Sequence, residues 1–433
     1  MSAAWLLAQD HDVTVYEAEP RLGGHSHTVT APLAEGDTPV DTGFIVYNEV
    51  NYPNLVALFD HLNVPTKPSN MGFAVSLDGG RMEYGGDNLV TLFSQPRNLI
   101  SPRFWSMLLD LVRFYREAPG HAEALEADLT PLGDFLDAEG YGRAFQDDHL
   151  LPQAAAIWSA SASDIRDYPA TAFIRFCENH GLLQITDRPI WRTVQGGSQA
   201  YVTRLTAAYA DKVRAGAAVT NVARTPAGVV VRDARGGVET FDQVVIATHA
   251  DQGLALLEAP SHIEQSVLGS FGYSRNQTIL HSDIGLMPRR RGLWSAWNYL
   301  GQTASGGDRQ LCVTYWMNRL QSLPTATPVL VTLNPLRPVD PAKVIQTFVY
   351  EHPRFDAAAI RAQRRLWSLQ GSGGVWWCGA YFGAGFHEDG LQAGLAVAEA
   401  IGGVRRPWIV PQESGRIHLT PRVANHLVLD PAA

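Results

Sequence analysis

Val13-Thr14-Val15-Tyr16-Glu17-Ala18-Glu19-Pro20-Arg21-Leu22-Gly23-Gly24 is the stretch on which the fold turns. Val13–Tyr16 is a short strand carrying β-branched residues, and Glu17 sits at its end. Upstream, Ser2–Gln9 reads as the end of a helix, because no breaker interrupts its small and apolar residues. Asp10-His11-Asp12 makes a polar turn between the two. Helix, tight turn, buried strand and terminal acid form the second half of a βαβ dinucleotide unit, in which the acid takes the ribose hydroxyls of an adenosine. The glycine fingerprint of such a unit stands about 20 residues before its acid. Counting back from Glu17 passes Met1, and no GxGxxG occurs elsewhere. The sequence is therefore expected to open after the first strand and glycine loop, and a protein that lacks the loop is the alternative. On this segment alone, an ordinary helix and strand of another α/β fold fits as well.

The end of the stretch narrows the choice. Paired glycines let a backbone approach a ligand closely, and Arg21 can bond phosphate or ribose. An acid, a short gap and then Arg21-Leu22-Gly23-Gly24 resembles the flavin-containing amine oxidase and phytoene desaturase superfamily. The resemblance implies an α/β protein with a Rossmann-like FAD-binding domain, its first strand and glycine loop missing here, and an α+β substrate domain. In that family this stretch carries the chain from the adenosine towards the flavin. His25-Ser26-His27-Thr28 continues it, where many members have another arginine. Val40-Asp41-Thr42-Gly43-Phe44 then resembles the family's D-x-G segment beneath the isoalloxazine.

Further along, Arg192–Ser198 reads as strand, glycine turn and helix start, with the helix running to about residue 210. Ala217–Val222 is a strand centred on Val219, whose backbone the resemblance assigns to the adenine. A hairpin follows, Gly228–Arg232 and Val238–Phe241, and then Asp242–Thr248, an apolar strand of the kind buried in parallel sheets. Near the C-terminus, Val375–Gly379 is a strand, Ala380–Phe386 a loop, His387-Glu388-Asp389-Gly390 a second motif, and Leu391–Ile401 a helix. A helix start behind a glycine loop offers free N–H groups and a positive dipole end to an anion. The resemblance turns it towards the flavin pyrimidine and ribityl chain, with Glu388 or Asp389 on ribityl or, through water, on phosphate. The candidate cofactor-binding residues are thus Glu17, Arg21, Gly23, Gly24, His25, Gly43, Val219, Gly379, His387, Glu388, Asp389 and Gly390.

The expected division assigns 1–48, 191–254 and 371–433 to the FAD-binding domain, the last with a tail, and 49–190 and 255–370 to the substrate domain. The 49–190 part is expected to be mainly helical, from periodic apolar runs at Asn54–Leu62, Pro102–Arg116 and Thr171–His180. Strands are expected at Gln277–His281 and Leu311–Met317. Arg103–Tyr115, aromatic with basic edges, fits either a core helix or a membrane surface.

Composition excludes other classes. A net charge of −9 argues against a broad nucleic-acid surface. Three scattered cysteines, Cys177, Cys312 and Cys378, form no CxxC pair, so neither a disulfide framework nor a zinc site is expected. With no signal-peptide pattern and no apolar run of membrane-spanning length, the expected location is cytoplasmic.

The resemblance implies an FAD-dependent oxidoreductase. Stretches such as Trp297-Asn298-Tyr299, Glu351-His352-Pro353 and Phe386–Gly390 resemble bacterial proteins described as NAD/FAD-binding and amine-oxidase-like, a group similar to enzymes linked with fatty-acyl or membrane-lipid modification. Trp297, Tyr299, Tyr315, Trp316 and His387 are candidates for the flavin face, and His281 and His352 read as structural. Many amine oxidases hold a water at the flavin with a lysine. The chain has only Lys67, Lys212 and Lys343, none on a suitable strand. That favours dehydrogenation or desaturation of an apolar, fatty-acyl or lipid substrate over oxidation of a small amine. A cofactor-free binding module is the third reading. No single residue stands out as a catalytic base, and the oligomeric state is open.

Overall fold

The computed structural model describes residues 1–124, 129–158, 162–179, 181–184, 189–303 and 309–419. The chain crosses three times into a nucleotide-type half. That half contains α1 (Ser2–Leu7), β1 (Val15–Glu17), β2 (Val213–Ala215), β3 (Val244–Ile246), β4 (Val375–Trp377) and α2 (His387–Ile401). β1 pairs with β2 and β3 with β4, each in parallel, as two separate ladders. β4 (Val-Trp-Trp) is buried on both faces, as parallel strands are, and Trp377 is fully enclosed.

α1 packs on α2, and its small residues allow the approach. A Cβ on Gly394 of α2 would fall 2.2 Å from the Ser2 Oγ of α1. Trp5 stacks on Trp408 at 5.7 Å, and Leu6, Leu391 and Leu395 close the same core. Burying side chains of this size contributes roughly 1.5–3 kcal/mol each.

The second half is a seven-stranded sheet with helices beside it. Its strand order is 344–354, 272–281, 330–333, 309–316, 297–303, 73–77 and 82–85. The strand expected at Gln277–His281 is the second half of Gly272–His281, and the one expected at Leu311–Met317 falls in Arg309–Trp316, with Met317 already in the short helix that follows. Two strands, Phe73–Leu77 and Met82–Gly85, come from the 49–190 stretch expected to be mainly helical. Phe-Ala-Val-Ser-Leu is a short apolar run, and periodicity alone does not separate strand from helix at that length. The three helices expected there are Pro53–His61, Pro102–Ala124 and Ala170–Asn179. His180, the end of the third expected run, lies outside the described residues.

Two other expectations need correcting. The strand expected at Ala217–Val222 runs instead over Val219–Thr225, and the Gly216 turn at φ +67° separates it from β2. Val219 therefore opens its strand, at a register shift, instead of standing at its centre. α2 begins at His387, four residues before the expected Leu391, so the second motif is the helix's own first turn.

Candidate functional site

One cavity of about 2250 Å³ reaches from β1 and β2 to the seven-stranded sheet. Ligand pockets commonly run to roughly 300–1,000 Å³, so there is room for a dinucleotide and a second molecule. Glu17, Arg21, Gly23, Gly24, His25, Gly43, Val219, Gly379, His387 and Gly390 all line it.

At the β1 end the Glu17 carboxylate accepts the Glu19 amide at 2.9 Å and is half-buried in the wall. Arg21 Nη1 donates to the Gly24 carbonyl at 2.9 Å and so braces the glycine turn. The two glycines do different work. Gly23 has φ +119°, and a Cβ there would lie 2.6 Å from the Ser26 carbonyl oxygen. Gly24 has φ +55°, and a Cβ would meet nothing within 4 Å. Gly23 closes the turn, while Gly24 presents bare backbone to open space. Gly43 has a packing role as well, since a Cβ there would sit 2.2 Å from the His25 carbonyl oxygen.

The middle of the cavity is held by hydrogen-bonded chains. Ser26 Oγ and Tyr201 Oη are 2.5 Å apart, and Tyr201 Oη shares a 2.6 Å hydrogen bond with His387 Nε2. Phe44 stacks on the His387 ring at 4.0 Å. The first glycine turn is thereby tied to the start of α2. Tyr350 Oη bonds both His27 Nδ1 at 2.8 Å and Thr42 Oγ1 at 2.6 Å. Behind them the Asp41 carboxylate takes the Ser198 amide, the hydroxyls of Ser198 and Thr28, and the Gln321 amide group. Burial pushes its carboxyl up to about 6.

Besides His11, five histidines line the cavity: His25, His27, His249, His352 and His387. Burial lowers all of them, His25 to about 3 and His27, His352 and His387 to about 4. They are neutral at pH 7, so the imidazoles add no positive charge to that of Arg21 in this wall. His352, expected to be structural, belongs to this wall and bonds Asn276 at 2.9 Å. His281 does not; it bonds Thr332 and the Asp283 amide inside the sheet.

Glu388 and Asp389 correct the expectation set by the second motif. Neither lines the cavity. Glu388 is fully buried and accepts the Asn54 amide and side chain, the Leu55 amide and Gln392, thereby capping the helix Pro53–His61. Asp389 accepts the Phe386 amide at 2.7 Å and pairs with Arg416 at 2.6 Å. On a helix the direction of a first-turn side chain depends on which neighbours pack there, and here both acids turn into the protein.

Towards the sheet the wall becomes apolar, with Met71, Phe73, Ile157, Phe176, Trp297 and Tyr315. Of the residues expected at the flavin face, Trp297, Tyr315 and His387 line the cavity. Tyr299 lies fully buried in the sheet core, and Trp316 packs edge-on against Trp294. Lys67 sits on a strand but donates to the Ser322 carbonyl outside the cavity. Lys343 pairs with Asp283 and Asp340, and Lys212, at the β2 end, with Asp12.

These residues fit a flavin nucleotide. Glu17 suits ribose hydroxyls, Gly24 offers uncovered backbone, and the 15-residue α2 points its N-terminus at the cavity. The buried Nε2 of His25 and Nε1 of Trp297 meet no hydrogen-bond partner among the described residues, and both residues stand in this wall. Sequence reasoning missed Tyr201 and Tyr350, which carry no motif and reach the site by long-range packing.

The sequence profile described as flavin containing amine oxidoreductase matches residues 1–265. No curated sequence matches the chain. Among solved structures the chain is similar to a putrescine oxidase redesigned in cofactor binding, at 16% identity and TM-score 0.66, with 92% of this chain and 95% of that one covered. It is similar to the cyclohexylamine oxidase of Brevibacterium oxydans IH-35A at 17% identity and TM-score 0.62, with 92% and 95% covered. It is also similar to a CLA-producing fatty acid isomerase from P. acnes at 14% identity and TM-score 0.63, with 91% and 94% covered. At these identities the likeness is one of fold.

Proposed function

Because the chain belongs to the family of flavin-containing amine oxidoreductases, we propose that it binds FAD and dehydrogenates or desaturates an apolar substrate of fatty-acyl type. When bound, the flavin accepts two electrons and a hydrogen from the substrate. The chain's own residues supply placement and electrostatics. Glu17 and the Val219 backbone hold the adenosine, Gly23 and Gly24 leave room for the phosphates, and the α2 dipole favours negative charge beside His387.

The observation that carries the substrate class is the wall from Met71 to Tyr315, which is apolar and aromatic. The histidines beside it are uncharged at neutral pH, and Lys67 and Lys343 lie outside it. Such a wall places a hydrocarbon chain by shape and excludes water from it. A proton leaving the substrate can be taken at Tyr350 Oη as Tyr350 passes its own hydroxyl proton to His27 Nδ1, and His27 then holds the positive charge. A fatty-acid enzyme among the structural neighbours is consistent with this reading. Two neighbours act on amines, and Trp297 and Tyr315 would also flank a small neutral amine, which is the second reading.

Titration of the purified protein with FAD, followed by quenching of flavin fluorescence, tests the cofactor. Anaerobic mixing with free fatty acids, acyl lipids and amines then tests the substrate. Bleaching of the flavin band by acyl chains alone is expected. Bleaching by amines alone would move the assignment to the second reading, and no flavin binding would remove both.

A further inference from the structure

We propose that the face formed by residues 89–116 docks on an anionic lipid bilayer, lying on the membrane without crossing it. The helix Pro102–Ala124 carries two apolar stripes. Phe104, Met107, Phe114 and Ala118 are buried against the protein, as a surface helix requires. The opposite stripe, at helical spacing, is Trp105, Leu109 and Val112, ending at Arg116, and it is exposed. A helix face meant for water would be polar at these positions. The turns before it add to the same feature. Leu89 is 74% exposed, Val90 81% and Ile100 83%, with Leu109 at 70%. A cluster of exposed aliphatic side chains of this kind marks an interaction surface.

Charge selects the partner. The chain carries −9 overall, yet Arg97, Arg103, Arg116, Arg289, Arg290 and Arg291 are exposed around these residues. The 289–291 turn is held against the cluster through Glu83. Its carboxylate takes the Arg289 amide at 2.7 Å, its amide donates to Gln95, and its carbonyl accepts from Asn98. Some of the arginines are partly offset by acids, Arg103 by Asp148, Arg116 by Glu117 and Arg290 by Glu83, while Asp110 pairs with Arg113 and Asp87 with Arg319. Arginine heads around aliphatic knobs, with an indole at the rim, match a bilayer interface. There the heads meet lipid phosphates and the knobs enter the acyl boundary. Trp105 suits that rim, since its Nε1 already donates to the Leu99 carbonyl at 2.9 Å and the residue is exposed. A second protein would more commonly meet a face with aromatic anchors at its centre. No described helix is long and apolar enough to cross a membrane. The face adjoins the edge strand Met82–Gly85, next in the sheet to the strand that brings Phe73 to the cavity. Docking here does not depend on the flavin, so this inference and the proposed function can fail separately.

The test is flotation of the full chain with vesicles of phosphatidylcholine alone and of phosphatidylcholine mixed with phosphatidylglycerol. The wild type is expected to float with the mixed vesicles. The triple variant Val90→Ser, Ile100→Ser, Leu109→Ser should lower the bound fraction by about tenfold or more, with its thermal unfolding transition unchanged because all three sites are exposed. The double variant Arg97→Ser, Arg291→Ser should lose the preference for anionic vesicles. A wild type that floats with neither preparation overturns the proposal, and so does a triple variant that floats as well as the wild type. Light scattering provides the remaining check: if the triple variant converts an oligomer into a monomer while vesicle binding is unchanged, the face is a protein contact and the bilayer reading is wrong.

Discussion

The two glycine turns of the cavity begin alike and use their acids in opposite ways. Each follows a parallel strand, β1 or β4, and each faces the same space. After β1, Glu17 stays in the cavity wall with one short backbone contact. After β4, Glu388 and Asp389 are buried and satisfied by the protein. An acid that ends a strand is delivered to the ligand side by the sheet. An acid in the first turn of a helix goes where its hydrogen bonds are, and here those belong to the Pro53 helix and Arg416. The same kind of residue therefore faces the cavity in one turn and holds the fold in the other.

That contrast can be broken most forcefully at Glu388. Replacing it with alanine strands the Asn54 and Leu55 amides, each worth roughly 1–3 kcal/mol when buried without a partner, so Glu388→Ala should cost about 3 kcal/mol or more of unfolding free energy. Denaturant titration measures this, and a loss below about 1 kcal/mol would mean that the carboxylate is not a fold element. Gly23→Ala comes next. It forces a side chain into a left-handed backbone against the Ser26 carbonyl and should cost about 2 kcal/mol by the same titration. The equivalent change at Gly24 should spare most of that stability and weaken flavin binding instead. Glu17→Gln should leave stability within about 0.5 kcal/mol. FAD affinity should fall about fivefold by fluorescence titration, the worth of one hydrogen bond. Equal affinity of variant and wild type would remove Glu17 from the site.

The smallest effect is in pH. His387 has a folded value of about 4, below the ordinary 6.5. Its contribution to stability is complete above about 6.5 and is lost as pH falls from there towards 4. His387→Gln should reduce this acid-side slope by under about 1 kcal/mol near pH 6, since the ring keeps some solvent contact. Asp41 has the opposite sign. Its raised value stabilises most below about 3.8, and that benefit is lost as pH rises through about 6. Asp41→Asn should therefore steepen the net acid-side loss where His387→Gln relieves it, and unfolding measured at several pH values separates the two.

Much of the nucleotide half was legible in the sequence because its signals are local. β1 with its acid, the 228–241 hairpin, β3, β4 and the helix after Gly379 each announce themselves within ten residues or so. The orientation of Glu388 was not legible, because it depends on Asn54, 334 residues away. Tyr201 and Tyr350 were missed for the same reason, since packing brings them to the cavity and no spacing marks them. Strand 73–77 was hidden by an apolar run too short to reveal its period. The exposed stripe of the long helix was visible as an aromatic segment with basic edges, but only burial shows that both of its faces are apolar.

The hydrogen-bonded chain from Ser26 through Tyr201 to His387 has a consequence for how the protein forms. Its links span 175 and 186 residues. Contacts so distant along the chain repay the entropy of loop closure late. During synthesis, the central wall of the cavity has nothing to close on until His387 has left the ribosome. The early part of the chain must then wait with Phe44 and its neighbouring apolar residues uncovered, which makes the interval before α2 docks the one in which this protein most needs protection from aggregation.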